Sequence, residues 1–372
     1  IRDWQTVTID GEDAKDLDDA ITISRESYGY KLGVHIADVS HYVRPQSALD
    51  TEAFGRGTSV YYANAVIPML PKELSNGICS LNPQEDRLAF SALMRLDEDG
   101  GLVEYDFRKT VIRSRVKGVY SEINQILDGT AEEAIHKKYD GLEPILHQMK
   151  ALADRLARRR SQRGSLDLES TEAKILIGED GRVQDIVPRQ SGVSEGMIEE
   201  FMLVANEAAA SFGLARELPF LFRIHEDPSA EKLEALAELL KVLGLDTVRI
   251  KPGVLQPSEL QAVLKAVKGT DMQMLVNSQL LRSMAKARYS EVNKGHFGLV
   301  LQKYSHFTSP IRRYPDLAIH RIMSESLKGT AAQEMQRRFG RFVQDAAVHS
   351  STAEQRVRSL TSSVTIWPQV FF

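Results

Sequence analysis

The sequence predicts an α+β fold, β-rich at its head and helical through its middle and tail. Three observations carry that reading. Residues 1–44 alternate apolar and polar with the period of strands, and a hairpin pattern at residues 88–115 extends the β-rich part. From residue 143 onward the apolar spacing is mostly that of amphipathic helices. The 372 residues exceed the size at which one core usually stops growing. One large unit of two packed lobes, or two closely joined domains, is therefore expected. Hydrophobic residues make up 42% and charged residues 26%, the balance of a soluble globular chain. No apolar run approaches the roughly 18 residues of a membrane span, which excludes a helical membrane protein. Ile1–Trp4 lacks signal-peptide character and opens almost inside a strand, as an internal domain of a longer cytoplasmic protein would. Cys79 is the single cysteine, which excludes an internal disulfide and a multi-cysteine metal site. It reads as a small buried residue.

Taken in order, strands are expected at residues 5–10, 20–26 and 30–38, a helix at 47–57 and a short strand at 58–62. Pro68 and Pro71 rule out regular helix or central strand at 67–71. Residues 88–96 and 102–115 alternate around Asp97-Glu-Asp-Gly-Gly101, a hairpin signal. A short helix at 121–127 precedes a longer one at 143–160, with Ile145, Leu146, Met149, Leu152 and Leu156 on one face. A second hairpin is expected across 172–187, then a helix at 197–212 and a buried strand at 220–224. Three helices follow: 229–243 with Ser229 as N-cap, 258–268 with Ser258 and Gln261 as a capping box, and 271–286. A strand at 297–302 and a helix at 331–356 complete the pattern, with no internal repeat.

The chemistry concentrates in two segments. In the first, strand 5–10 ends at Asp10 and empties into a Gly-containing turn that carries Asp13, Asp16, Asp18 and Asp19 within nine residues. Carboxylates crowded at two strand ends raise one another's pKa or recruit a cation. Oxygen ligands without nearby His or Cys favour a hard ion, Mg²⁺ or Mn²⁺. An EF-hand is excluded because its ligand spacing is absent. A plain solvated acidic turn is the alternative. In the second segment, residues 306–316, Pro310 suits the first turn of a helix capped by Thr308 or Ser309. Its N–H groups would face an anion, with Arg312 and Arg313 as planar forks for phosphate. Metal on one side and phosphate on the other is what phosphodiester cleavage needs.

The net charge of −4 argues against a general attraction to nucleic acid, but local distribution matters more. Arg155, Arg158, Arg159, Arg160 and Arg163 read as a solvated helix face. Lys286, Arg288, Lys294, Lys303, Arg312, Arg313 and Arg321 interleave with Tyr289, His296, Phe297, Tyr304, His306, Phe307 and Tyr314. That mixture suits a groove that grips phosphates and stacks on bases. His225, His296 and His306 are set aside as packed, hydrogen-bonded histidines.

The motifs Thr8–Asp19, residues 64–71 with Glu73–Ser75, Met197–Asn206, His296–Leu299 and Thr308–Asp316 resemble the catalytic (RNB) domain of the ribonuclease II / ribonuclease R family. Asn82-Pro83 and the residues around Gly11 stand closer to the ribonuclease R branch. The resemblance runs from residue 1 to about 356 and leaves 357–372 as an atypical, apparently truncated tail. It implies an RNB-type α+β domain and hydrolysis of single-stranded RNA from the 3′ end to nucleoside 5′-monophosphates, Mg²⁺-dependent and largely independent of sequence. It also implies roles by position. Asp10, Asp16, Asp18 and Asp19 match the family's metal-site aspartates, with Asp18 and Asp16 catalytic, and Arg312 matches the arginine at the scissile phosphate. Tyr61, Tyr120, Glu199 or Glu200, and Glu354 match residues near the RNA 3′ end, and Arg313 joins them as a substrate-binding residue. Ile175 stands about where the family often has a phenylalanine over the last base. The family flanks this domain with cold-shock and S1 domains, which this sequence lacks. The alternatives are a different metal-dependent phosphodiesterase and a catalytically weak RNA-binding fragment.

Overall fold

The computed structural model describes residues 1–372 apart from 63–64, 167–172, 178–182, 189–190, 246–249, 252, 254 and 365–372; for 173–177, 183, 186–188 and 360–364 it describes the backbone alone. The head of the chain is a closed five-stranded barrel. Strands β1 (Thr6–Asp10), β2 (Asp19–Glu26) and β3 (Gly29–Ala37) run antiparallel in succession. Next come α1 (Val39–Tyr42), α2 (Ala48–Arg56), a small arm of β4 (Val60–Tyr61) with β5 (Val66–Ile67), and a π-helical stretch at Glu73–Ile78. The long strands β6 (Asp86–Leu96) and β7 (Leu102–Val119) complete the barrel, and β7 closes it by pairing in parallel with β1. The β6–β7 hairpin turns where expected. Asp97 Oδ1 accepts from the N–H groups of Asp99 and Gly101, and Gly100 supplies the φ of +80° the turn requires.

Closure leaves no free edge among these strands, and it carries a polar belt across all five. Thr6, Thr22, His35, Ser91 and Thr110 link side chain to side chain at 2.7, 3.0, 2.7 and 2.6 Å. Burial pushes the His35 pKa down to about 3, so the ring stays neutral within the belt.

Helices cover the barrel. α3 (Tyr120–Asp128), α4 (Glu133–Lys138) and α5 (Glu143–Arg163) lead to the β8 (Ala173–Ile177) and β9 (Val183–Pro188) hairpin and to α6 (Val193–Ala215). β10 (Phe222–Ile224) pairs with β11 (Arg288–Ser290), and between them lie α7 (Ala230–Val242), α8 (Pro257–Val267) and α9 (Gln273–Ser283). α10 (Tyr314–Leu327) and α11 (Ala332–Val364) finish the described chain. The main core is contiguous from barrel to helices: Phe107 meets Phe90, Phe212 and Phe307 edge to face. α7–α9 bury a smaller core of their own around Leu233, Leu236, Leu240, Leu260, Val276 and Leu280.

Several expectations change. The box on α8 is formed by Gln256 and Glu259, with Pro257 in the first turn, and not by Ser258 and Gln261. Residues 297–302 form no strand; His296 pairs with Leu301 in an isolated bridge. α11 continues helical to Val364, past the boundary read at 356. The Ile175 side chain and the last eight residues lie outside the described residues. Cys79 is buried, and burial pushes its thiol up to about 12, so it is inert as a nucleophile. Among the described residues no helix is long and apolar enough to cross a membrane.

Candidate active site

The aspartates sit where two barrel strands end side by side. β1 delivers Asp10 in register with Val119, which brings Tyr120 at the start of α3 beside it. β2 begins at Asp19, and the Asp18 carbonyl accepts from Ala37 N–H of β3 at 2.8 Å. Between these strand ends, residues 11–18 adopt no regular structure. Gly11 N–H donates to Asp10 Oδ1 at 2.6 Å, and Tyr61 Oη donates to Asp16 Oδ2 at 3.1 Å.

Residues 306–313 approach from the far end of the sequence. Ile311 N–H donates to Asp18 Oδ1 at 2.9 Å, and Arg312 Nε lies 3.6 Å from Asp18 Oδ2. The Arg312 side chain is 46% exposed and lies among Asp10, Asp18 and Asp19. The helix expected from Pro310 begins instead at Tyr314 with Pro315 in its first turn, so neither Thr308 nor Ser309 caps it. The turn is fixed by Asp316, which accepts from Ser309 N–H at 2.8 Å and from both Nη2 and Nε of Arg313. Asn206 of α6 secures its start, accepting from Phe307 N–H at 2.7 Å and donating to Tyr304 Oη.

Burial decides the electrostatics. Asp18 is 3% exposed, and desolvation raises its pKa well above the carboxylate range despite Arg312 and the Ile311 N–H. Asp19 is raised to about 7, by burial first and the Asp10 charge second, and Asp10 is raised mainly by burial. Arg312 stays protonated: its own desolvation is outweighed by the aspartates around it. Asp18 Oδ2 and Asp19 Oδ2 are buried without a hydrogen-bond partner. Buried polar oxygens of this kind call for a counter-group. Among the described residues no three carboxylate, imidazole or thiol groups make a ready metal cage. Asp10, Asp16, Asp18 and Asp19 are the groups that could hold an ion as part of a shell shared with other oxygens.

The structure therefore brings together Asp10, Asp16, Asp18, Asp19, Tyr61, Tyr120 and Arg312. It places other nominated residues in ion pairs. Arg313 forks onto Asp316, which removes it as a free phosphate fork. Glu354 accepts two bonds from the buried Arg223, at 2.7 and 2.9 Å. Glu200 is buried and accepts from Arg160 Nε at 2.7 Å, so that arginine belongs to no purely solvated face. Glu199 is exposed on α6. The basic–aromatic run is mostly core: Tyr289, His296, Tyr304, His306, Phe307 and Tyr314 are buried, and Arg321 is paired with Asp50. Aromatic rings with no exposed face cannot stack on bases.

Sequence reasoning missed Ser80, Lys117, Asn206 and Asp316 as supports. Asn206 and Asp316 lie inside motifs already singled out. For Lys117, whose ammonium donates to the carbonyls of Glu12 and Ala14, the sequence held no signal.

A closed barrel whose paired strand ends gather aspartates beside an arginine defines a class of α+β domain with an acidic site. The RNB domain model matches residues 1–329, and the chain belongs to the RNB family. It is 46% identical over 362 residues to ribonuclease R of Thermotoga maritima, covering 95% of this chain and 50% of that protein. It is 40% identical to ribonuclease R of Escherichia coli, covering 99% of this chain and 46% of the other. Ribonuclease R of Mycoplasma genitalium in its apo form superposes with a TM-score of 0.92 at 30% identity, over 98% of this chain and 56% of that one. That protein has also been solved with ribose-methylated single-stranded RNA and with double-stranded RNA. The chain spans about half the length of the curated relatives it matches.

Proposed function

We propose that this chain is the catalytic domain of a hydrolytic exoribonuclease. It removes nucleoside 5′-monophosphates from the 3′ end of single-stranded RNA with little regard for sequence. The carrying observation is the meeting of Arg312 with Asp18, at 3.6 Å, beside three other aspartates. Similarity to ribonuclease R supports RNA as the substrate class.

Asp10, Asp16, Asp18 and Asp19 would hold Mg²⁺, or Mn²⁺ in its place. The unpartnered oxygens of Asp18 and Asp19 and the all-oxygen donor set fit such an ion. That no complete protein cage forms among the described residues fits too, since Mg²⁺ commonly takes one or two carboxylates and completes its shell with water and substrate phosphate. When bound, the ion supplies Lewis acidity to the scissile phosphate and to the attacking water. Arg312 places a permanent charge where the non-bridging phosphate oxygens gain electron density, and such a group contributes roughly 10²–10³ in rate. Tyr61 fixes Asp16 through its hydroxyl, and Tyr120 beside Asp10 gives the terminal nucleotide an aromatic wall. Ile311 N–H holds Asp18 in one rotamer, so its free oxygen faces Arg312. Glu199, Glu200 and Glu354 are assigned to the terminal nucleotides by family position; Glu200 and Glu354 would act from within their arginine pairs.

The test incubates 5′-labelled single-stranded RNA with the chain and Mg²⁺, with Asp18→Asn as control. Stepwise mononucleotide release by the unmodified chain, lowered at least about 10³-fold in the variant, is expected. Internal cuts, or equal rates, refute the reading.

A further inference from the structure

We infer that Ser80 is a positioning residue for the catalytic aspartates, through a hydroxyl that grips the peptide units on both sides of Asp16. The inference rests on the reading of Asp16 and Asp18 as active-site groups.

Residues 11–18 have no ladder or helix to define them, so their conformation depends on bonds from elsewhere in the fold. Besides the Ala37 bond to the Asp18 carbonyl and the Tyr61 and Ile311 bonds to the carboxylates, two sets grip the backbone. Lys117 takes the near half through the Glu12 and Ala14 carbonyls. The far half, which carries Asp16 and Asp18, is held by the segment after the π-helical stretch. Ser80 Oγ accepts from Leu17 N–H at 3.0 Å and donates to the Lys15 carbonyl at 2.8 Å. Leu81 N–H donates to the Leu17 carbonyl at 3.0 Å.

One hydroxyl thus serves as acceptor and donor across a single residue, which fixes the direction in which Asp16 leaves the backbone. Leu17 follows at 2% exposure and anchors the start of Asp18. Ser80 is itself wholly buried, and its carbonyl is held by Arg87 Nε at 2.9 Å. Asn82 Oδ1, 3.1 Å from Ser80 Oγ, competes for the same proton at longer range. A hydroxyl lost here strands the buried Leu17 N–H and removes the donor of the Lys15 carbonyl. The segment must then shift to satisfy them, carrying its carboxylates with it. Displacements of about 1 Å at a reacting centre cost on the order of 10²-fold in rate.

The experiment uses the 372-residue chain with Ser80→Ala, Ser80→Cys and Ser80→Thr. We measure kcat and KM on single-stranded RNA, Mn²⁺ binding by calorimetry without RNA, and Tm. Expected for Ser80→Ala are a 10- to 100-fold lower kcat, KM within about twofold, and Mn²⁺ bound at least several-fold more weakly. Ser80→Thr, which keeps the hydroxyl, recovers most of both. Ser80→Cys, close in shape but a poor hydrogen-bonding group, behaves like Ser80→Ala and reads the same quantities should the alanine variant not fold. A lower Tm with unchanged kcat and Mn²⁺ affinity per folded molecule overturns the positioning role. Failure of the underlying reading shows separately, as no difference between the unmodified chain and Asp18→Asn.

Discussion

Asp19→Asn should stabilise the metal-free protein, because the aspartate is placed for a cation and is costly without one. Burial and the nearby Asp10 charge raise its pKa from 3.8 to about 7. A carboxyl raised on folding binds more protons in the folded state between those two values. Its contribution is therefore most favourable below pH 3.8 and is lost as pH rises toward and beyond 7. The full shift corresponds to roughly 4 kcal/mol, a ceiling that water entry and relaxation reduce to about 1–3 kcal/mol. At pH 8 in EDTA the variant should melt several degrees above the unmodified chain, at about 2–4 °C per kcal/mol for a large domain. The gap should narrow by about half as pH falls to 5.5 and close toward pH 3.8. Buried neutral histidines such as His35 and His320, both near 3, lose stability over that same range, but they do so in both proteins and cancel in the difference. Excess Mn²⁺ should reverse the order, since an ion at 100 times its Kd adds about 2.7 kcal/mol to the protein that binds it. Scanning calorimetry reads all three comparisons. A variant that melts lower at pH 8 in EDTA, or a gap that does not depend on pH, refutes the account of a strained acidic cluster.

Arg312→Lys keeps the charge but loses the planar fork, and RNA turnover should fall about 10²–10³-fold with little change in Tm; steady-state rates at saturating RNA decide this. Tyr61→Phe removes its side-chain bond to Asp16 Oδ2 and should lower kcat less than about tenfold. Complete loss would mean that Tyr61 contributes directly to the reaction. Arg223→Met leaves the partly buried Glu354 of α11 without its two-bond partner, though still beside Arg358, and should cost about 1–3 kcal/mol, seen as a lower urea midpoint. Glu354→Gln added to it should restore part of that loss, and an unchanged midpoint in the single variant would refute the role given to the pair.

The sequence by itself determined the local periodicities and the two chemical segments. Alternation located β1, β2, β3 and β6 to within a residue or two of their ends, and β7 at its start, though β7 runs four residues past the expected 115, because the pleat repeats every two residues whatever the strand pairs with. Crowded aspartates between two strands, and paired arginines beside prolines, were legible for a similar reason: chain neighbours must share a neighbourhood. Tertiary structure alone decided the rest. Closure of the barrel through a parallel β1–β7 pairing depends on contacts between residues about a hundred positions apart, which no local pattern encodes. The same holds for the bond from Ile311 to Asp18. Burial also separated Arg312 from Arg313, which look alike in sequence. One stands 46% exposed beside Asp18, while Asp316 captures the other. The aromatic run from Tyr289 to Tyr314 shows the limit most plainly, since a ring that stacks on a base and a ring that fills a core share one composition. Only the surrounding atoms, set by the whole chain, determine how much water each ring meets.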